Sequence, residues 1–163
     1  MKSKFIEAHM KAAEVYAELS TATRLHVGCV AVKNDTIIGI GYNGMPSGWT
    51  NECEDILFIF DDETDMKSEE LEKLQYKKVA HGWIKTKTKA EALHAETNCL
   101  AKIARSTNSS DGASLFVTHA PCLDCAKIIY QAGIKEVYYK HSYRETSGLD
   151  FLKKCKIDVV QVQ

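Results

Sequence analysis

The chain of 163 residues is 45% hydrophobic and 26% charged, the balance of an ordinary soluble globular protein, and its length predicts a single domain. A formal net charge of −1 argues against a broad duplex-binding surface, so we expect no nucleic-acid partner. The longest apolar run is too short to cross a bilayer, and we expect no membrane partner. Residues 1–11 lack the apolar core of a secretory signal, so the six cysteines favour a reducing, cytoplasmic location over disulfides.

The hydrophobic pattern predicts alternating helices and strands. Apolar residues at helical spacing predict a first helix over 3–19, and β-branched runs on either side of Asn34 and Asp35 predict a hairpin. Helices and strands alternate beyond residue 90, which favours a mixed sheet with helices on both faces. The predicted helices are 90–105, 122–132 and 147–154, and the predicted strands are 27–32, 36–42, 114–118, 134–139 and 157–162.

Residues 54–90 form a charged segment in which no regular pattern is evident. Acidic residues crowd its first half and lysines crowd its second half. Such charge blocks usually form solvated helices or insertions. We interpret the segment as an insertion within one domain, 1–163, with a helix over 67–80. Its lysines could hold an anionic phosphate, but a solvated surface is the preferred interpretation.

Two short clusters contain residues that bind metals. The first is His94-Ala95-Glu96, and the second is Pro121-Cys122-Leu123-Asp124-Cys125. Cys122 and Cys125 are three residues apart at a predicted helix start, which lets both thiols face one point and favours their thiolate forms. The imidazole of His94 and two thiolates suit Zn²⁺ and leave a fourth tetrahedral position.

The occupant of the fourth position separates two interpretations. Zinc would lower the pKa of a water bound there, and Glu96, two residues from His94, could accept its proton without binding the metal. The pattern H-x-E with P-C-x-x-C is the signature of zinc-dependent nucleobase deaminases. A fourth ligand from Cys53 or Cys99 would instead make a closed site that only stabilises the fold. We favour the catalytic interpretation, because the metal-type and acidic residues of both clusters all stand at predicted helix starts that follow loops or strands. A redox pair of cysteines is a weaker interpretation, because it would leave His94 and Glu96 without a role.

Further stretches match one family. They are Ser20-Thr21 through Arg24, Gly41-Tyr42-Asn43-Gly44-Met45-Pro46, 94–98, 116–118, 121–127 and 131–137. With these stretches the chain resembles the deoxycytidylate (dCMP) deaminases of the cytidine deaminase superfamily. The resemblance implies a three-layer α/β/α cytidine deaminase-like fold around a central mixed five-stranded sheet. It also implies hydrolytic deamination of dCMP to dUMP and ammonia, which supplies dUMP for thymidylate synthesis.

Carried over residue by residue, the resemblance implies a role for each matching position. The implied ligands of one catalytic Zn²⁺ are His94, Cys122 and Cys125. Glu96 would move protons, Asn43 would reach the deoxyribose, and Tyr143 would close over the nucleotide. The implied contacts at the phosphate end are Arg24, Ser20 and Thr21.

The resemblance further implies regulation and assembly. The family is typically homohexameric, activated by dCTP and inhibited by dTTP, with a divalent cation such as Mg²⁺ beside the triphosphate. The implied effector segment is Gly41, Tyr42, Asn43 and Gly44. Some relatives hold a second zinc through a cysteine at the position of Ala22, so we expect a single zinc here. The alternatives are a deaminase of bases in tRNA or single-stranded DNA, and a non-catalytic module stabilised by zinc.

Overall fold

The computed structural model describes residues 1–60, 66–74, 76–143 and 145–163, and within them it contains two β-sheets and five helices. The helices are α1 (Ser3–Ala17), α2 (Ser68–Lys73), α3 (Ala95–Ala104), α4 (Leu123–Gln131) and α5 (Ser147–Lys154). The strands are β1 (Gly28–Lys33), β2 (Thr36–Tyr42), β3 (Glu54–Phe60), β4 (Lys77–Val79), β5 (Gly82–Thr88), β6 (Ser114–His119), β7 (Glu136–His141) and β8 (Asp158–Gln161). No helix in these ranges is both long enough and apolar enough to span a membrane.

The larger sheet is mixed and five-stranded, with the order β2-β1-β6-β7-β8. β1 runs antiparallel to β2 and β6, whereas β6, β7 and β8 are parallel. The β1–β2 hairpin closes through Asn34 and Asp35, whose φ angles are 51° and 58°. Two consecutive left-handed residues are typical of the type I′ turn, which matches the twist of a hairpin. The predicted hairpin and mixed sheet are therefore confirmed.

Helices cover both faces of the larger sheet. Successive side chains of β6 point to opposite faces, as a strand requires. Phe116 packs with Met10 of α1 on one face. Leu115 and Val117 share the core of the other face with residues from α3, α4 and α5, among them Ile129. The three-layer α/β/α arrangement is confirmed.

Segment 54–90 contains the second, smaller sheet, which the sequence pattern does not predict. Its order is β3-β5-β4, and β5 is antiparallel to both neighbours. The helix predicted over 67–80 is wrong in its extent, because α2 ends at Lys73 and β4 follows at Lys77. In β5, threonines at 86 and 88 alternate with lysines at 85 and 87, so both faces are polar and no hydrophobic alternation marks the strand. Residues 61–65 and 75 of the segment lie outside the described residues.

Gly41 allows α3 to lie close against β2. A Cβ at this position would lie 2.1 Å from the carbonyl oxygen of Ala95 and 2.6 Å from the nitrogen of Cys99. We expect Gly41→Ala to lower the free energy of unfolding by about 1–3 kcal/mol, because the backbone of α3 must move away. Denaturant unfolding measures this change. Gly44→Ala is the matched control, since its nearest atom would be Thr21 Oγ1 at 3.7 Å, and equal losses in the two variants would contradict the prediction.

Candidate active site

The two predicted metal-ligand clusters meet at the N-terminal ends of neighbouring helices. His94 is the N-cap residue of α3, Cys122 is the N-cap residue of α4, and Cys125 lies in the first turn of α4. Both helices pack on the same face of the larger sheet. The sheet therefore brings together side chains that are about 30 residues apart in the sequence.

The geometry of the three ligand atoms fits a zinc ion. His94 Nδ1 lies 3.3 Å from Cys125 Sγ and 3.6 Å from Cys122 Sγ, and the three atoms lie within 4.8 Å of one another. Ordinary Zn–N and Zn–S bonds at tetrahedral angles separate such atoms by about 3.6 Å. Among the described residues, no fourth histidine, cysteine or carboxylate belongs to this group. Cys53 and Cys99, which could have closed the site, lie outside it.

Hydrogen bonds among the ligands favour one thiolate. Bonds from Cys125 and His94 lower the pKa of the Cys122 thiol to about 4, and the bond with Cys122 raises the pKa of His94. The Cys125 thiol donates a hydrogen bond to Cys122 and is buried, and both effects raise the pKa of Cys125. A metal that binds both sulfurs must displace this second proton, because the ligand form of cysteine is the thiolate.

Glu96 lies beside the ligands without joining them. Its side chain is in the first turn of α3, is only 4% exposed and lines the same cavity as His94 and Cys122. Burial raises the pKa of its carboxyl group, because desolvation penalises the charged form. A buried carboxyl group next to a metal site can accept and return protons during a reaction.

The site opens into a cavity of about 550 Å³. This volume is in the range of sites that bind small molecules. Segment 54–90 forms one of its walls, through Glu54, Glu72, Tyr76, Lys77, Thr86 and Thr88. Sequence reasoning considered the lysines of the segment as phosphate ligands but preferred a solvated surface because of the charge, and it missed the other wall residues. The β-branched threonines of β5 are the signal that could have identified the wall as a strand.

Comparison with known proteins agrees with this site. The family model described as "cytidine and deoxycytidylate deaminase zinc-binding region" matches residues 3–141. The chain belongs to the cytidine and deoxycytidylate deaminase family. The deoxycytidylate deaminase of enterobacteria phage T4 is 32% identical over 161 residues, covering 83% of this chain and 78% of the relative. The mouse deoxycytidylate deaminase is 34% identical over 155 residues, covering 91% of this chain and 73% of the relative.

A solved structure of similar length supports the same assignment. The dCMP deaminase of cyanophage S-TIM5, in complex with dCMP and dUMP, is 39% identical to this deaminase and covers 99% of each chain with a TM-score of 0.78. The shared fold confirms the α/β class that the sequence predicts. The zinc-binding description of the family agrees with the His/Cys/Cys group found here.

Three of the predicted substrate residues of this deaminase line the cavity: Arg24, Asn43 and Tyr143. The side chain of Asn43 also binds its neighbours, since Oδ1 accepts the N–H of Val27 and Nδ2 donates to the carbonyl of Leu25, both at 2.8 Å. Its amide group has a second N–H, which is the group that a ligand could use. For the predicted contact with a sugar, Asn43 must keep its hydrogen bonds to Val27 and Leu25 while its second N–H group binds the ligand.

Ser20 and Thr21 are not among the residues that line the cavity. Ser20 is buried, and its Oγ accepts the N–H of Ala22 at 3.3 Å. Thr21 Oγ1 lies 3.6 Å from Cys53 Sγ. Both side chains stabilise the loop before Arg24, and their direct contact with substrate stays a prediction.

The predicted effector segment has contacts within the chain. Tyr42 accepts a hydrogen bond from Asn98 Nδ2 at its carbonyl oxygen, and Lys102 Nζ lies 5.3 Å from the centre of its ring. Gly44 and Leu93 exchange two backbone hydrogen bonds of 3.1 and 2.8 Å. The close packing of α3 accounts for the glycine at position 41, and the effector role of the segment stays a prediction.

Proposed function

We propose that this deaminase converts dCMP and water into dUMP and ammonia. The observation that carries the proposal is that one cavity is lined by two members of the zinc-type ligand group, His94 and Cys122, by the buried carboxyl group of Glu96 and by the cationic side chain of Arg24. The similarity to a cyanophage enzyme solved with dCMP and dUMP supports this substrate and product. We also propose that residues 1–163 act as one domain, with 54–90 as its insertion.

The residues of the site divide the chemistry between them. A zinc ion held by His94, Cys122 and Cys125 supplies a Lewis acid and lowers the pKa of water. Glu96 takes a proton from the attacking water and delivers it to N3 of cytosine. The oxygen of the water bonds to C4, and Glu96 then takes the second proton from this C4 hydroxyl group and passes it to the amino group. The C4–N bond breaks, the amino group leaves as ammonia, and C4 becomes the carbonyl carbon of dUMP. The N-terminal ends of α3 and α4 favour the negative charge that develops near C4.

The rest of the nucleotide extends along the cavity away from the ligands. Arg24 binds the phosphate, because a guanidinium group forms paired, charge-assisted hydrogen bonds with phosphate oxygens. Asn43 contacts the deoxyribose, and Tyr143 covers the nucleotide from the cavity rim. Ser20 and Thr21 support the phosphate end through the loop that they stabilise.

We base three finer proposals on the family resemblance. The dUMP product feeds thymidylate synthesis, the active form is a homohexamer, and dCTP activates while dTTP inhibits, each with Mg²⁺. The support for the effector site is the match of residues 41–46 to the family pattern.

Turnover of dCMP tests the proposed function directly. We expect ammonia release from dCMP, less efficient release from deoxycytidine, and none from tRNA or single-stranded DNA, because the chain is slightly acidic overall. Deamination of a nucleic acid but not of dCMP would contradict the proposal and support the alternative. Addition of dCTP and then dTTP to the same assay should raise and then lower the rate. A rate indifferent to both effectors would remove the regulatory proposal alone.

A further inference from the structure

Glu54 connects the smaller sheet to the loop that contains Arg24. It is the first residue of β3 and lines the cavity. Its Oε1 accepts the backbone N–H of Thr23 at 3.0 Å and that of Arg24 at 3.2 Å, and its Oε2 lies 3.1 Å from the Thr23 nitrogen. One carboxylate thus binds two consecutive N–H groups that lie 30 and 31 positions earlier in the chain.

Two further contacts join the smaller sheet to the same loop. Lys77 of β4 donates from Nζ to the carbonyl oxygen of Thr23 at 2.8 Å. Arg24 donates from Nη1 to Thr88 Oγ1 of β5 at 3.3 Å. Each strand of the smaller sheet therefore contributes one side chain that holds the turn at Thr23 and Arg24. The bonds of Glu54 and Lys77 hold the backbone from which the Arg24 side chain extends, and the bond to Thr88 orients the guanidinium group itself.

Cationic groups near this turn can bind an anion. Arg24 and Lys77 both line the cavity, together with the carboxylates of Glu54 and Glu72. The negative charge of Glu54 faces backbone N–H donors, which offset it through charge-assisted hydrogen bonds. The two cations and the two carboxylates balance in formal charge, but the carboxylate of Glu54 is occupied by the loop. A phosphate monoester, with a charge of roughly −2 near neutral pH, can accept hydrogen bonds from the cationic groups of Arg24 and Lys77.

We infer that Glu54 is a positioning residue for recognition of the nucleotide phosphate: it holds the turn at Thr23 and Arg24 so that the Arg24 guanidinium group faces the phosphate. The inference rests on the proposed function, in which Arg24 binds that phosphate. The role requires a fixed backbone, because a planar guanidinium group binds two phosphate oxygens only in a limited range of orientations. Glu54 acts through Arg24 and takes no part in the proton transfers that we assign to Glu96.

The test compares dCMP with deoxycytidine, which lacks the phosphate. We expect Glu54→Ala to raise the KM for dCMP about tenfold or more with little change in kcat, the loss typical of a hydrogen bond to a charged group. The KM for deoxycytidine should stay unchanged. Arg24→Ala should show the same selectivity for dCMP. The double variant should be no worse than Arg24→Ala, because residues that act through one another have non-additive effects.

Two variants separate positioning from general damage to the fold. Glu54→Gln keeps a carbonyl oxygen that accepts N–H bonds, so it should recover part of the affinity for dCMP and carries the test if Glu54→Ala does not fold. Glu69→Ala, an exposed acid on α2 outside the cavity lining, is the matched control and should leave both KM values unchanged. Equal KM increases for the two substrates, additive effects in the double variant, or an unchanged KM in Glu54→Ala would overturn the inference. A wild-type protein that does not deaminate dCMP would overturn the proposed function and the inference together.

Discussion

Replacement of Glu96 by glutamine is expected to lower kcat for dCMP by about 10²–10⁴-fold, the range that a general acid–base residue supplies. Glutamine has nearly the same shape and fills the same buried position, but its amide group cannot carry a proton between water, N3 and the departing amino group. Zinc content and folding should therefore stay unchanged, because Glu96 is not part of the ligand group. Steady-state kinetics, metal analysis and circular dichroism measure the three properties.

Glu91→Gln is the matched control for this experiment. Glu91 is exposed, precedes the first ligand by three residues and does not line the cavity. Its kcat should equal that of the wild type. A Glu96→Gln enzyme that keeps a substantial share of wild-type turnover would refute the proton-transfer role, and parallel loss of zinc would assign Glu96 to the metal site instead.

Replacement of Cys122 by serine is expected to remove both the zinc ion and the activity. The hydroxyl group of serine is a harder, far less acidic group than the thiol, whose pKa in this chain is lowered to about 4 by bonds from Cys125 and His94. We expect zinc affinity to fall by more than about 100-fold, because loss of a ligand exceeds the loss caused by changes around a metal site. Zinc titration against a colorimetric chelator, together with dCMP turnover, measures this effect.

Cys155→Ser provides the comparison for the cysteine change. Cys155 is half-buried at the end of α5, outside the ligand group. This variant should bind one zinc ion per chain, as the wild type should. Full zinc occupancy in Cys122→Ser would contradict the ligand assignment. Two zinc ions in the wild type would contradict the single site predicted from Ala22.

The grouping of His94, Cys122 and Cys125 in space is predictable because two short motifs contain the information. Cys122 and Cys125 are one helical turn apart, and His94 and Glu96 stand at the start of another helix, so short motifs contain most of the geometry. The larger sheet is predictable for a similar reason, since its buried strands are rich in apolar, β-branched residues such as Val30 and Val117.

The cavity wall could not be predicted in the same way. Contacts such as Glu54 with Thr23 and Thr88 with Arg24 join positions 31 and 64 residues apart, and no local pattern encodes such pairs. The strands that supply them are short or polar, so charge favours a solvated segment. The resemblance identified Arg24 and Asn43 from matching residues, but it could not identify the partners that hold them.

The paired backbone bonds between Gly44 and Leu93 have a consequence for how this protein can vary. These bonds hold the two ends of segment 45–92 together, so the segment leaves the larger domain core at Gly44 and returns to it at Leu93. A change in the length of such a segment adds little to its loop-closure entropy, because its two ends are already held together. Insertions or deletions within 45–92 can therefore leave His94 and Glu96, which follow directly, in place, provided that Glu54, Lys77 and Thr88 keep their contacts with the turn at Thr23 and Arg24.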